Sequence, residues 1–443
     1  MPFNRRRLLR TAGHGVTLGL LAPGLLAACS GPQVPAATTQ APAPATNSAK
    51  PVNFWFTVKG GDAYAATYQQ LADQFNTSQT AYAVTAKPMS IPANSSVLEQ
   101  VTTAIASNTQ PDALAASAYL PWQFYAQGQA ADVDDAVSQM QTNQTSADFD
   151  AGVLDVLKYQ GHYVGLPTGY DMLIPYYRKD ILAKYGVGEP KTWDDLMRAG
   201  ATLQKQGVYL FAQGSGQTGW QQMMCFVFNN GGGLYDEKGN VNATSARNVE
   251  ALTFLSELMK QKYISPSTAG LSDDDITRMF ATDQAAIMYY HPGFPAQLSQ
   301  LGANLQLLSP YTGPHGDKGT LYWVNNGLVF SKSANSAGGK AWLQWLVLNN
   351  GPLFWQGLAR QAPTRKSYAT NPYFANDISR TIVQDWIPVG KTMANLDGEL
   401  FPQLATLEGG TILPNLLNSV LQGDDPKQSL QTAQTAIEAM MQA

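Results

Sequence analysis

Val52-Asn-Phe-Trp-Phe-Thr57 is followed by Lys59-Gly-Gly-Asp62 and then by a helical pattern from Ala63 to Phe75. Val52, Phe54 and Phe56 alternate with other residues, so the first segment reads as a strand with one apolar face. The same alternation of elements continues outward. A second strand is expected over Tyr82 to Lys87 and a second helix over Val97 to Ser107. Ala113 to Ala116 suits a short buried strand, and Pro121 is placed to open another helix. Strands alternating with helices predict an α/β fold with a parallel-rich sheet covered on both faces.

The second half repeats this logic. Thr192-Trp-Asp-Asp195 fits a capping box, followed by Leu196, Ala199 and Leu203 at helical spacing up to Gly207. Val208 to Phe211 reads as a strand. Asn248 to Lys262 reads as a helix with Val249, Leu252, Leu255 and Met259 on one stripe. Ala285 to Tyr290 and Leu321 to Phe330 read as strands, Ala341 to Leu348 and Gln428 to Met441 as helices. Trp55, Trp193, Trp342, Trp345 and Trp355 are expected in the core. No internal repeat stands out.

Only 14% of the 443 residues are charged, with 28 basic and 32 acidic side chains. A nucleic-acid binder would carry a basic surplus. The first residues run Met1-Pro-Phe-Asn-Arg-Arg-Arg-Leu-Leu-Arg10, then an apolar stretch reaches Ala28. This reads as an export signal over 1–28 and resembles a twin-arginine signal. Leu26-Ala-Ala-Cys29 resembles a bacterial lipobox, which implies a lipidated Cys29. Residues 29–51 are rich in Pro, Ala and Thr and read as a disordered tether. Removal of the signal takes away four arginines and no acid, so the net charge moves from −4 to −8. Attachment to a membrane would then rest on acyl chains and not on charge. With Cys29 modified, Cys225 has no partner, and its setting in Met-Met-Cys-Phe-Val-Phe reads as buried.

Three longer stretches carry a family resemblance. They are Tyr159-Gln-Gly-His-Tyr-Val-Gly-Leu-Pro167, Met172-Leu-Ile-Pro-Tyr-Tyr-Arg-Lys-Asp-Ile-Leu182 and Pro190-Lys-Thr-Trp-Asp-Asp-Leu196. With Phe280-Ala-Thr-Asp-Gln-Ala-Ala-Ile-Met288 and Ala362-Pro-Thr-Arg-Lys-Ser367, their order resembles the extracellular solute-binding proteins of ABC importers. That group includes the maltodextrin-binding proteins. Arg178 stands where the family pattern has Asn. The resemblance covers nearly all of 52–443. It implies a two-lobed periplasmic-binding-protein-like fold with a ligand cleft between discontinuous α/β lobes. The lobes are expected as 52–171 plus about 328–376, and 172–327 plus about 377–443. Crossovers are expected near Asp171 to Tyr177, near Leu321 to Phe330, and after Pro372. The resemblance also implies hinge closure about a solute and delivery to a permease. The protein is expected to be a monomer outside the cytoplasm.

Sugars present flat C–H faces and a ring of hydroxyls, so aromatic, amide and acidic side chains are the candidates. Asp62 resembles an acidic contact of the family, or it caps the following helix. Tyr119 lies where maltodextrin binders carry a polar contact, unless it is a surface tyrosine. Asp171 matches an acidic ligand residue of maltodextrin binders by its spacing to Tyr177, or it is a structural hinge acid, with Tyr170 expected to stack beside it. Trp220 is either an aromatic platform or a core residue, and Gln222 is placed to hydrogen-bond. Phe294 stands where relatives often have Trp. One of Trp323 and Asn325 is expected to point inward, since residues two apart share a face. Arg365 is either a contact or half of a salt bridge.

Gly214-Ser-Gly-Gln-Thr-Gly219 formally fits a dinucleotide fingerprint but is read here as cleft wall, and no cofactor is expected. The four histidines are scattered, so no metal site is expected. An exported glycoside hydrolase is the rival class, since it too would need an aromatic cleft and two carboxylates. Within the binding class, a glycerol phosphate ester or a polyamine would replace the sugar if Arg and Lys, or acids, gathered at the site. The aromatic and amide set favours a neutral polyol.

Overall fold

The computed structural model describes residues 49–443 except 59–60, 92–94, 117–118, 356–357, 359–360, 395–399 and 443. The expected signal, Cys29 and nearly all of the tether lie outside the described residues, as do Lys59 and Gly60.

The strands are β1 Lys50–Thr57, β2 Tyr82–Met89, β3 Ala113–Ala116, β4 Ala130–Ala131, β5 Lys158–Tyr159, β6 His162–Tyr163 and β7 Leu166–Met172. They continue with β8 Ile174–Arg178, β9 Tyr209–Ala212, β10 Ala285–Tyr290, β11 Leu305–Leu307, β12 Thr320–Phe330 and β13 Gly390–Lys391. A seven-stranded sheet runs β13-β12-β3-β1-β2, with β4 and β7 also paired to β12. A four-stranded sheet runs β11-β8-β10-β9, and β5 with β6 forms a small hairpin.

The expectation of a parallel-rich sheet needs correction. β1 is parallel to β2 and β3, and β9 to β10. However, β12 runs antiparallel to β3, β4 and β7, and β8 antiparallel to β10 and β11. Both sheets are mixed because β8 and β12 run against most of their neighbours. Strand direction is set by these long-range pairings, which local periodicity does not encode.

The first strand packs as its alternation predicts. Val52, Phe54 and Phe56 are 0–1% exposed. Phe56 stacks on Tyr68 of the helix Gly61–Ser78 at 4.3 Å, and Phe54 meets Trp342 of the helix Ser336–Asn349 at 5.3 Å. Each such burial contributes roughly 1.5–3 kcal/mol. Trp193 and Trp342 are buried, whereas Trp55, Trp345 and Trp355 pack against the core from its margin.

The helix Trp193–Gln204 begins at Thr192, whose Oγ1 accepts from Asp195 N at 3.1 Å. The reciprocal arm differs from a full capping box, because Asp195 Oδ2 accepts from Lys191 N at 3.0 Å. Arg178 forks onto Asp180 at 2.9 and 2.7 Å and donates to Phe280 O at 3.0 Å. It thereby ties β8 to the helix Asp273–Ala281.

The chain passes from one sheet to the other across Leu173 alone, between β7 and β8. β12 stays in the seven-stranded sheet over its whole length. The division expected at 327/328 therefore cuts through a continuous strand.

Candidate functional site

The pairing of β7 with β12 sets the site. Asp171 stands opposite Trp323, and Gly169 opposite Asn325. Directly opposed residues share a face, as do residues two apart. Asp171, Trp323 and Asn325 therefore lie on one face, so both residues of the β12 pair accompany Asp171, where one was expected to point inward.

The same alternation sends Tyr170 to the opposite face, which corrects the expectation that it stacks beside Asp171. Its ring lies 5.5 Å from Tyr322, and its backbone exchanges hydrogen bonds of 2.7 and 2.9 Å with Ala362. Burial, Tyr322 and Asp150 together push its phenol far above the ordinary range.

Asp171 is 4% exposed and well supplied with donors. Its Oδ1 accepts from His291 Nδ1 at 2.7 Å and from Met172 N at 3.0 Å, and its Oδ2 accepts from Asn325 Nδ2 at 3.2 Å. His291 follows β10, so this contact joins the two sheets. The His291 ring meets Trp323 edge-on at 6.0 Å. Tyr64, from the helix Gly61–Ser78, is buried against Phe56 and Tyr68. Its phenol is raised by burial, then by Tyr68, then by the charge of Asp171.

The helix Gln217–Asn229 packs against β12. A Cβ on Gly319 would fall 2.6 Å from Phe228 O, and Thr320 Oγ1 lies 3.3 Å from Cys225 Sγ. The helix thus descends as β12 advances. Thr320 shares a face with Tyr322, so this helix meets β12 on the face opposite Trp323. Gln222 is fully buried, and neither its amide oxygen nor its nitrogen has a partner among the described residues. Gln221 Oε1 and Asn325 Oδ1 are likewise buried and unpaired. Buried polar groups are normally satisfied, and leaving one unpaired costs about 1–3 kcal/mol. Each of these is a hydrogen-bonding position open to a partner.

The other expected residues fall elsewhere or take other roles. Asp62 is exposed in the first turn of the helix Gly61–Ser78. Tyr119 is buried, against the alternative of a surface tyrosine, and its Oη accepts from Met393 N at 3.2 Å. Trp220 is 3% exposed within the helix Gln217–Asn229. Phe294 is fully buried among Tyr176, Phe280 and Tyr290, at ring distances of 5.3, 5.9 and 4.5 Å. Arg365 takes the salt-bridge role. It holds Asp148 at 2.7 and 2.8 Å, and its Nη1 donates to Tyr368 Oη at 3.0 Å and to Leu348 O.

Gly214 and Gly219 serve packing here. A Cβ on Gly219 would fall 2.1 Å from Gly214 O, and Gln213 Nε2 bonds the carbonyls of both glycines. Near His291, a small apolar cavity of about 50 Å³ is lined by Pro292, Phe354, Ala362, Tyr373 and Ile382. It is well below the ~150 Å³ that takes a benzene ring. It does not hold a sugar.

Sequence reasoning missed His291 and Tyr64. The signal for His291 was its place at the end of β10, ahead of Pro292-Gly293, and not any pairing with another histidine. Tyr64 sits on the core stripe of its helix with Tyr68, Leu71 and Phe75, which spacing reads as ordinary packing. The arrangement offers one carboxylate, several amide groups and two aromatic rings. It suits a ligand with many hydroxyls and little charge.

Residues 59–350 match the family described as bacterial extracellular solute-binding protein. An arabinooligosaccharide-binding protein of Halalkalibacterium halodurans is 30% identical over 113 residues, which is 25% of this chain and 25% of that protein. The chain thus spans about a quarter of that curated relative. A putative binding protein of Brucella abortus is 21% identical over 293 residues, 63% of this chain and 69% of its own length. Among solved structures, a sugar transporter from Arthrobacter chlorophenolicus with bound laminaribiose superposes with a TM-score of 0.82 at 29% identity. It covers 88% of this chain and 98% of its own. A maltose-bound MalE3 of T. maritima superposes at 0.73 with 18% identity over 88% of this chain and 100% of its own, a likeness of fold alone. The architecture is the two-lobed α/β fold of these binding proteins.

Proposed function

The chain belongs to the bacterial extracellular solute-binding protein family, and on that premise we propose that it is a lipid-anchored carbohydrate receptor of an ABC importer. It works outside the cytoplasm, attached through Cys29. It binds a sugar between two closing lobes, presents it to a permease, and makes or breaks no covalent bond. The lobes are proposed as the seven-stranded and four-stranded sheets with their helices. Ligand closes them because it binds the closed arrangement more tightly than the open one.

The observation that carries this reading is the convergence at β7 and β12. Asp171, Trp323 and Asn325 share one face there, and the amide oxygen of Asn325 is buried and unpaired among the described residues. A carboxylate and amides bridge sugar hydroxyls, and indole covers a C–H face. Trp220 and Tyr64 are proposed as further walls. Asp62 and Tyr119 are proposed as outer contacts on the seven-stranded side. Phe294 and Arg365 are proposed as supports of the site and not as contacts. The laminaribiose complex and the arabinooligosaccharide relative lend the sugar class further support. Among the described residues, a glycerol phosphate ester would meet no gathered Arg or Lys here, and a polyamine would meet one acid already paired with His291.

Thermal melting against laminaribiose, maltose, arabinooligosaccharides, glycerol phosphates and polyamines tests the proposal. At about 100 times its dissociation constant a ligand stabilises by about 2.7 kcal/mol. A sugar is expected to raise the midpoint, Asp171→Ala to remove that rise, and the sugar to be recovered intact. A shift only with phosphates or polyamines, or cleavage of the sugar, overturns the proposal.

A further inference from the structure

We infer that His291 is a positioning residue of this site: from the four-stranded side it fixes the Asp171 carboxylate in the orientation that receives a solute hydroxyl. The inference rests on the receptor reading above and deepens it.

His291 is held toward Asp171 by contacts of its ring and of its backbone. Nδ1 lies 2.7 Å from Asp171 Oδ1, and an ionised carboxylate only accepts, so the ring nitrogen donates. The side chains are 21% and 6% exposed, so water competes little for either group. The imidazole is held edge-on between Tyr290 at 5.1 Å and Trp323 at 6.0 Å. Its backbone is anchored as well, because Tyr176 Oη lies 3.1 Å from both His291 O and Pro292 O. Tyr176 belongs to β8, so the four-stranded sheet itself sets the position of the imidazole.

Asp171 is thereby gripped from two sheets. His291 and Met172 N take Oδ1, and Asn325 takes Oδ2 from β12. A carboxylate with both oxygens oriented loses little freedom when a solute arrives, which favours tight binding. The contact lies beside the Leu173 crossover, and losing a group that orients a binding residue is expected to show mainly in the dissociation rate.

Stopped-flow tryptophan fluorescence on the full chain, with laminaribiose as first probe and otherwise the sugar that shifts the melt, separates the two rates. His291→Ala is expected to speed dissociation about tenfold, with association within about twofold of wild type. His291→Asn places an amide donor near the former Nδ1 and is expected to recover most of the loss. Unchanged dissociation in His291→Ala, with sugar still bound by wild type, overturns this inference and leaves the receptor reading intact. Equal losses in the Ala and Asn variants that follow their melting midpoints would mark a merely structural role and also overturn it. Failure of every sugar to bind wild type overturns both readings together.

Discussion

Gln222 carries an energetic conflict in a single side chain. Its amide is wholly buried and unpaired among the described residues, so the folded protein loses the hydration of that group and regains nothing from protein partners. A residue that serves only the fold would be apolar at this position. Gln222→Met keeps the length of the side chain and removes the polar atoms. The ligand-free protein is expected to gain about 1–3 kcal/mol, while the stabilisation by sugar shrinks. Melting curves with and without laminaribiose check both halves; a lower ligand-free midpoint, or an unchanged sugar shift, refutes the assignment. Cys225, one turn away, shows the contrasting case. Burial lifts its thiol to about 12, and Thr320 and the backbone of Leu321 only partly offset this, so it is expected to resist thiol reagents in the native state. A chain with Cys29→Ser has this single thiol; Ellman's reagent should find it only after denaturation.

At the scale of elements, the helix Trp193–Gln204 tests propensity against packing. Gly200 lies in its interior, where Ala is ordinarily better by about 1 kcal/mol. A Cβ there would fall 2.4–2.9 Å from the ring of Tyr263, which is itself 8% exposed. The ring cannot withdraw without disturbing the core. Gly200→Ala is therefore expected to destabilise by about 1–3 kcal/mol despite the helical gain, as read from urea midpoints. Propensity alone predicts the opposite sign.

The same scale explains what was legible beforehand. β1, β3, β10 and the helix after Thr192 could be read from the sequence, because period and capping are local properties. The antiparallel course of β8 and β12 could not, since it depends on partners far away in the chain. Asp171 became a candidate through the family resemblance, by its spacing to Tyr177. The opposite facing of Tyr170 followed from alternation alone and was available to sequence reasoning. The alliance of Asp171 with His291 was not, because it requires knowing that the end of β10 meets the end of β7.

For the whole molecule, location is a matter of the N-terminus. No helix among the described residues is long and apolar enough to cross a membrane. The proposed attachment rests on acyl chains at Cys29, each buried methylene adding about 0.8 kcal/mol. Cell fractionation checks this directly. The wild-type chain is expected in the membrane fraction and to incorporate labelled palmitate, and Cys29→Ser in neither. Palmitate labelling that persists in the variant refutes the anchor.

The pairing pattern of β12 also has a consequence in time. β3 and β7 both need it as a partner, yet it ends at Phe330, long after either has been made. At about 5–20 residues per second, a ribosome takes on the order of ten seconds or more to deliver that strand. Through that interval the nascent chain carries β3 with its β12-facing edge bare and Asp171 without its sheet. The seven-stranded sheet is assembled late, and its open edge during synthesis is the surface that a chaperone must shield.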